Sequence, residues 1–336
     1  MSKNSMSRRS FLGVAGSTAA VAGLTLAGCS SDDDSDDESE DTSEEDTEEE
    51  ESTDEEDTTE EESEDSTDTA SLSGSITCSG ATSFQSLVET AANQFMEIYP
   101  DVVVAVSGGG SGQGLSDVKD GTAQIGRSDV FAEDKLDAED AEELIDNQVC
   151  VVGMGPIVNL NVDVDDLTTE QLAGIFTGEI TNWSEVGGSD GKIQVIERKA
   201  GSGTRATFED AVLGGESAED FVPAAEEESS GTVVETVAAT ENSISYLAFS
   251  YFDETQFKAL SVDGVEATNE NVCNGSFNIW AYEHMYTSND PDEVTQAFID
   301  YMLSSDVQDS LVEEEGYIPI SDMQVQKDVD GNVTEI

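Results

Sequence analysis

The segment ERKAGSGTRATFED, Glu197 to Asp210, sets Arg198, Lys199 and Arg205 around one small glycine-serine turn. Basic residues are rare in this chain, with 12 Lys and Arg against 76 Asp and Glu. The turn itself, Gly201-Ser202-Gly203-Thr204, has two counterparts: Gly80-Ala81-Thr82-Ser83, and Gly108 to Gly114 (GGGSGQG). The pattern around each predicts a strand before it and a helix after it. A helix start leaves backbone N–H groups without partners and carries the positive end of the helix dipole. Glycine lets a ligand approach that backbone, and Ser and Thr hydroxyls add donors, so each turn is a candidate anion cradle. One such turn alone is more often a simple cap. Charge sets these three apart. Of about nine Lys and Arg beyond the N-terminal region, Arg127, Arg198, Lys199 and Arg205 lie beside them. None of the runs fits a G-x-x-x-x-G-K-[ST] phosphate loop or a G-x-G-x-x-G dinucleotide turn.

Asp129 brings a carboxylate to a region otherwise suited to anions. A carboxylate repels a bare anion but accepts a hydrogen bond from a protonated one. Phosphate keeps a proton at neutral pH and sulfate does not, so an acceptor left unpaired by the wrong ligand selects for phosphate. The other reading of Asp129 is a helix N-cap ahead of Val130-Phe131.

The elements that must position these residues alternate in type. Strands are predicted at 75–79, 101–106 and 123–126, with helices at 83–99 and near 115–120. The apolar run 149–160 reads as a strand that leaves one lobe and enters another. Beyond it come a helix at 167–176, a strand at 193–197, helices at 204–213 and 232–239, and strands at 243–249 and 277–286. Helices at 294–304 and 307–315 follow. This alternation predicts an α/β fold with mainly parallel sheets and helices on both faces, and the length suggests two lobes.

Residues 30–70 hold 25 Asp and Glu and no Lys or Arg, interleaved with Ser and Thr. Such a stretch repels itself and has little apolar surface to bury, so it is expected to be an extended, disordered tether. The rest keeps about 51 acids against about 9 bases, together with enough apolar residues for a core. Molar salt shortens the screening length to about 3 Å, and the composition therefore suggests a hypersaline habitat. It also excludes nucleic acid as a partner.

The N-terminus carries SRRSFLGV at 7–14 and LAGC at 26–29. These motifs are similar to a twin-arginine signal joined to a lipoprotein processing box. The resemblance implies a signal peptide at 1–28, a tether at 29–72 and a lipid-bearing Cys29 on the extracytoplasmic face of the membrane. Cys78, Cys150 and Cys273 remain, without metal-type spacing. Cys78 and Cys150 read as buried thiols, and a disulfide between some pair stays open. Catalysis finds little support: Ser202 does not fit G-x-S-x-G, and the single histidine, His284, has no evident partner. No catalytic residue, metal or cofactor is expected.

Gly80–Phe84 (GATSF), 106–114 (VSGGGSGQG), 123–131 (AQIGRSDVF), 171–188 (QLAGIFTGEITNWSEVGG), 198–208 (RKAGSGTRATF) and 316–320 (GYIPI) form an ordered set. It resembles the phosphate-binding proteins of the phosphate-specific ABC transporter. The resemblance spans 75–320 and implies a two-lobed, periplasmic binding protein type II fold with a hinge. Lobe I would comprise 73–156 and 246–336, and lobe II 157–245. It further implies that Thr82, Ser83 (through its amide), Ser111, Asp129, Arg198, Ser202, Gly203 and Thr204 bind inorganic phosphate, with Gly110 and Arg205 in support. The implied protein is a monomer that delivers phosphate to a membrane ABC permease. Competing readings are a receptor for phosphonate, sulfate or molybdate, and a non-transport acidic surface protein.

Overall fold

The structure is a computed structural model and describes residues 72–215 and 221–336. The twin-arginine and LAGC motifs, Cys29 and the acidic run lie outside the described residues.

Strand β1 (Gly74–Gly80) feeds helix α1 (Gln85–Ile98), whose Leu87, Val88, Ala91, Ala92 and Phe95 form a fully buried stripe at helical spacing. Pro100 follows the helix and cannot extend it. Strand β2 (Val102–Gly108) then runs parallel to β1, and after α2 (Ser111–Lys119) strand β3 (Ile125–Ser128) pairs parallel on the other side. In that register Gly80 lies opposite both Gly108 and Arg127. The Thr82 turn, the glycine-rich turn and Asp129 therefore leave the sheet side by side, at the carboxyl ends of the strands.

Beyond α3 (Ala138–Ala141) comes β4 (Leu144–Asn159), a continuous strand of 16 residues, buried throughout from Val149 onward. Burial on both faces explains why its sequence is an unbroken apolar run rather than an alternating one. It is followed by β5 (Asp166–Leu167), α4 (Thr169–Phe176), β6 (Gln194–Arg198), α5 (Gly203–Leu213) and β7 (Ala225–Glu227). Next come α6 (Ser230–Ala239), β8 (Ser243–Ala248), β9 (Phe257–Ala259), β10 (Ser261–Val262) and α7 (Asn269–Cys273). The chain returns through β11 (Trp280–Ser288), α8 (Glu293–Met302) and α9 (Val312–Glu314), and closes on a hairpin of β12 (Val325–Lys327) and β13 (Val333–Glu335).

Among the described residues the main sheet runs β2-β1-β3-β11-β4-β8-β6-β7, with β9 also on β4. The first ten residues of β4 pair antiparallel with β11, and from Met154 onward it pairs antiparallel with β8 and β9. One strand thus serves both halves of the molecule, as the long apolar run suggested. The sheet is mixed. Parallel pairs hold its two ends, while β11, β4, β8 and β9 make the middle antiparallel because the chain crosses between the halves there in opposite directions. Residues 257–259 and 261–262 pair with the far half of β4 and with β5, on the side of the sheet that holds β6 to β8.

Cys78 and Cys150 are buried free thiols, and Cys273 is a partly buried one. His284 has a partner after all: its Nδ1 lies 2.8 Å from Asp146 Oδ1, with the ring stacked on Tyr286. Among the described residues no helix is long and apolar enough to cross a membrane.

Candidate functional site

Arg198 ends β6 and is only 1% exposed. Its Nη1 donates to Thr204 Oγ1 at 3.4 Å and Ser230 Oγ at 3.3 Å. Its Nη2 donates to Thr82 Oγ1 and to the Glu228 carbonyl, both at 3.2 Å. Asp129 lies in the same cluster and shares the Thr204 hydroxyl with Arg198. Its Oδ1 accepts from Ser83 Oγ at 2.7 Å and Ser111 Oγ at 3.3 Å, and its Oδ2 accepts from Thr204 Oγ1 at 2.8 Å. The next helical turn is capped at Phe131, so Asp129 is not its N-cap. All of these side chains are buried.

The cluster forms because four helix starts meet. Thr82 and Ser83 precede α1, Ser111 opens α2, Ser202 to Thr204 open α5, and Ser230 opens α6. The approach is close enough to demand glycine. A Cβ on Gly203 would lie 2.1 Å from Ser111 Oγ, and one on Gly110, at φ +83°, would lie 2.8 Å from the Gly201 carbonyl oxygen. The Gly112 N–H donates to that same carbonyl at 3.1 Å, joining the second turn to the third. Ser202 spends its hydroxyl on the helix, accepting from the Arg205 N–H at 3.2 Å. Thr82, Ser83, Ser111, Asp129, Arg198, Ser202, Gly203 and Thr204 are thus gathered at one place, although Ser83 contributes its hydroxyl to Asp129 there.

Beneath the site lies a second layer. Arg205 donates from Nη1 to the Arg198 carbonyl at 2.8 Å and from Nε to Glu209 at 2.8 Å. Burial pushes the Glu197 carboxyl up to about 7, against the hydrogen bond donated by Tyr246 (2.7 Å) and the charge of Arg205. Burial also lowers the Arg198 guanidinium from its ordinary value, opposed first by Asp129. Arg127 turns elsewhere, donating to the Ser107 carbonyl at 2.5 Å with its guanidinium 5.7 Å from the Phe84 ring centroid. Lys199 forms an exposed ion pair with Glu228. Both line a cleft of about 810 Å³ that also touches Thr82, Gly110, Ser202 and Tyr251.

Three contributors escape the sequence reading. Ser230 bonds Thr82 through its N–H (3.1 Å) and hydroxyl (3.2 Å), and its turn, Ser229-Ser230-Gly231-Thr232, repeats the layout of the other three. No Lys or Arg flanks it in sequence, so scarcity of charge could not single it out. Tyr251 and Tyr317 donate to the carbonyls of Thr82 (2.6 Å) and Ser83 (2.8 Å) and pin that turn from outside. Tyr317 belongs to the GYIPI stretch, which gives that motif a physical role.

Buried hydroxyls and N–H groups around one guanidinium, with one carboxylate among them, suit a tetrahedral, proton-bearing anion held without covalent chemistry. Two sheet halves sharing strand β4 around such a cluster define a solute-binding protein of the two-lobed class. Comparison with known proteins agrees. A family model for the PBP superfamily domain matches residues 58–306. The phosphate-binding protein PstS of Bacillus subtilis is 48% identical over 260 residues, which cover 77% of this chain and 85% of that one. The chain belongs to the PstS family of the PBP superfamily. A putative phosphate ABC transporter substrate-binding protein from Clostridium perfringens, solved with bound phosphate, matches with a TM-score of 0.68 and 35% identity. The alignment covers 74% of this chain and all of that one. An ABC-type phosphate transport receptor from Vibrio cholerae matches at 0.59 and 30% identity over 72% of this chain and 99% of that one.

Proposed function

We propose that this protein is an extracytoplasmic receptor that captures inorganic phosphate between its two lobes and delivers it to a membrane ABC permease. The observation that carries this reading is the meeting of the Asp129 carboxylate and the Arg198 guanidinium at the Thr204 hydroxyl, inside one cluster of buried hydroxyls. Arg198 supplies charge, and Thr82, the Ser83 amide, Ser111 and the Ser202–Thr204 turn supply hydroxyls and N–H groups. Asp129 accepts the ligand proton, which a sulfate or molybdate at neutral pH lacks. The bonds that now link Thr204 to Asp129 and Ser230 to Thr82 join the halves, and a bridging anion would draw the same groups together. Each charge-assisted hydrogen bond contributes about 1.5–3 kcal/mol, which leaves long-range attraction unnecessary on a strongly acidic protein. Twin-arginine export and lipidation at Cys29 rest on the N-terminal motifs, and the tether would keep a monomeric receptor beside its permease. The acidic composition fits work in molar salt. Titration of the full chain with phosphate in molar KCl tests the site: the parent takes up one equivalent, and R198A binds at least roughly a hundredfold more weakly. An R198A protein that binds like the parent removes this pocket from the account.

A further inference from the structure

Glu283 is a fully buried carboxyl that the phosphate reading leaves without a task. It lies on β11, which runs antiparallel to β3 with His284 opposite Ser128 and Met285 opposite Arg127. The pairing ends at Ser128, and one step beyond it Glu283 lies near Asp129 where that residue leaves the sheet. Two like charges brought that near in a buried place repel. A β-bulge falls immediately after Glu283, where the pairing with β4 shifts.

Neither carboxyl oxygen of Glu283 makes a well-formed hydrogen bond. Ser83 and Asp129 are close enough to influence it, yet the neighbouring donors are committed elsewhere. The Ser83 hydroxyl serves Asp129, while Tyr251 and Tyr317 serve the carbonyls of Thr82 and Ser83. Cys150, opposite on β4, is a buried thiol. Burial and the Asp129 charge both push the Glu283 carboxyl well above the usual carboxylate range. Arg127, on β3, is a cation that acts on Glu283 and opposes this rise.

We propose that Glu283 is a positioning residue of the anion site, a neutral carboxylic acid on β11 that lies beside Asp129 at the end of β3 and steadies that carboxylate. Its proton can be donated to Asp129 or to the Ser83 hydroxyl that Asp129 already holds. An ionised Glu283 could only repel both Asp129 and an incoming anion. The Asp129 carboxyl is then held by Ser83, Ser111 and Thr204 and backed by Glu283 from β11. The inference rests on the phosphate reading for its consequence, but not for its chemistry.

The test compares the full-length parent, E283Q and E283M in molar KCl. Glutamine keeps a neutral donor, and methionine keeps the volume without one. The parent-minus-E283Q infrared difference spectrum should contain the C=O band of a protonated carboxyl. Its absence overturns the proposal whatever the protein binds, including the case in which a water-bridged pair with Arg127 keeps Glu283 ionised. In titrations, E283M should bind phosphate about tenfold more weakly and lose about tenfold of its preference over sulfate, while E283Q recovers most of both. E283M matching the parent in both respects, or E283Q failing as E283M does, also overturns it. Should E283M not fold, the spectrum and E283Q still decide. Should the parent bind no phosphate, the functional reading falls and the spectrum alone decides Glu283.

Discussion

Arg198 reaches Thr82, Thr204 and Ser230 with two nitrogens of one planar group, so three turns are fixed by one side chain. That economy made it visible in the sequence, where a base beside a glycine-serine turn is conspicuous against so many acids. Asp129 was visible for the opposite reason, as a carboxylate in the wrong company. Ser230, Tyr251 and Tyr317 were not. They act by reaching a turn 148 to 234 positions away along the chain, and nothing local records such an approach. Arg127 misled in the same manner, since its place in sequence says nothing about which way the strand turns it. Gly203 offers the sharpest residue-scale prediction. In G203A the new Cβ falls on Ser111 Oγ and crowds Asp129, so the third turn must retreat from the second. Phosphate affinity should drop by at least about tenfold with the helices intact by circular dichroism. Unchanged affinity in G203A argues that the turns do not meet around the ligand.

At the scale of elements, the sequence exposed those whose own pattern suffices. The α1 stripe and the strand leading to Arg198 appear where the pattern put them, and the apolar run is part of β4, which starts earlier, at Leu144. The start of α2 at Ser111 was hidden, because Gly112 and Gly114 disfavour helix and only tertiary contact holds them in one. The two- and three-residue strands β5, β7, β9 and β10 exist by pairing with distant partners, which a local pattern cannot supply. The last helical stretch also departs from expectation, with a π-turn at Val307–Leu311 before α9. Strand β6 carries a testable load. Glu197 has its carboxyl raised from 4.5 to about 7, so the folded chain holds a proton that the unfolded chain has released between those values. Stability from this group is therefore complete below the lower value and is lost as pH rises through the upper one, by on the order of 3 kcal/mol. The surface acids are common to parent and E197Q, so the difference between their thermal midpoints isolates the buried group. From about pH 5 to 8 the parent should lose stability relative to E197Q. Parallel profiles would show that Glu197 is not buried as a neutral acid.

For the whole molecule, charge and architecture say different things. The formal charge of −64 bears on the saline medium we propose for the chain and is silent about its ligand. At about 3 Å of screening in molar salt, distant carboxylates scarcely act on the cleft, and recognition falls to short bonds in a dry cluster. The two halves of the sheet, joined by β4, were foreseeable from the length of the chain and the long apolar run. Their antiparallel middle was not, because direction of pairing depends on where the chain crosses. The central claim is that this crossing brings Arg198 and Asp129 to one protonated oxyanion. Calorimetric titration of the full chain with phosphate and then sulfate, both in molar KCl at neutral pH, tests it most directly. The account predicts one phosphate per chain and sulfate weaker by roughly a hundredfold or more. Sulfate bound as tightly as phosphate, or neither bound at all, would contradict it.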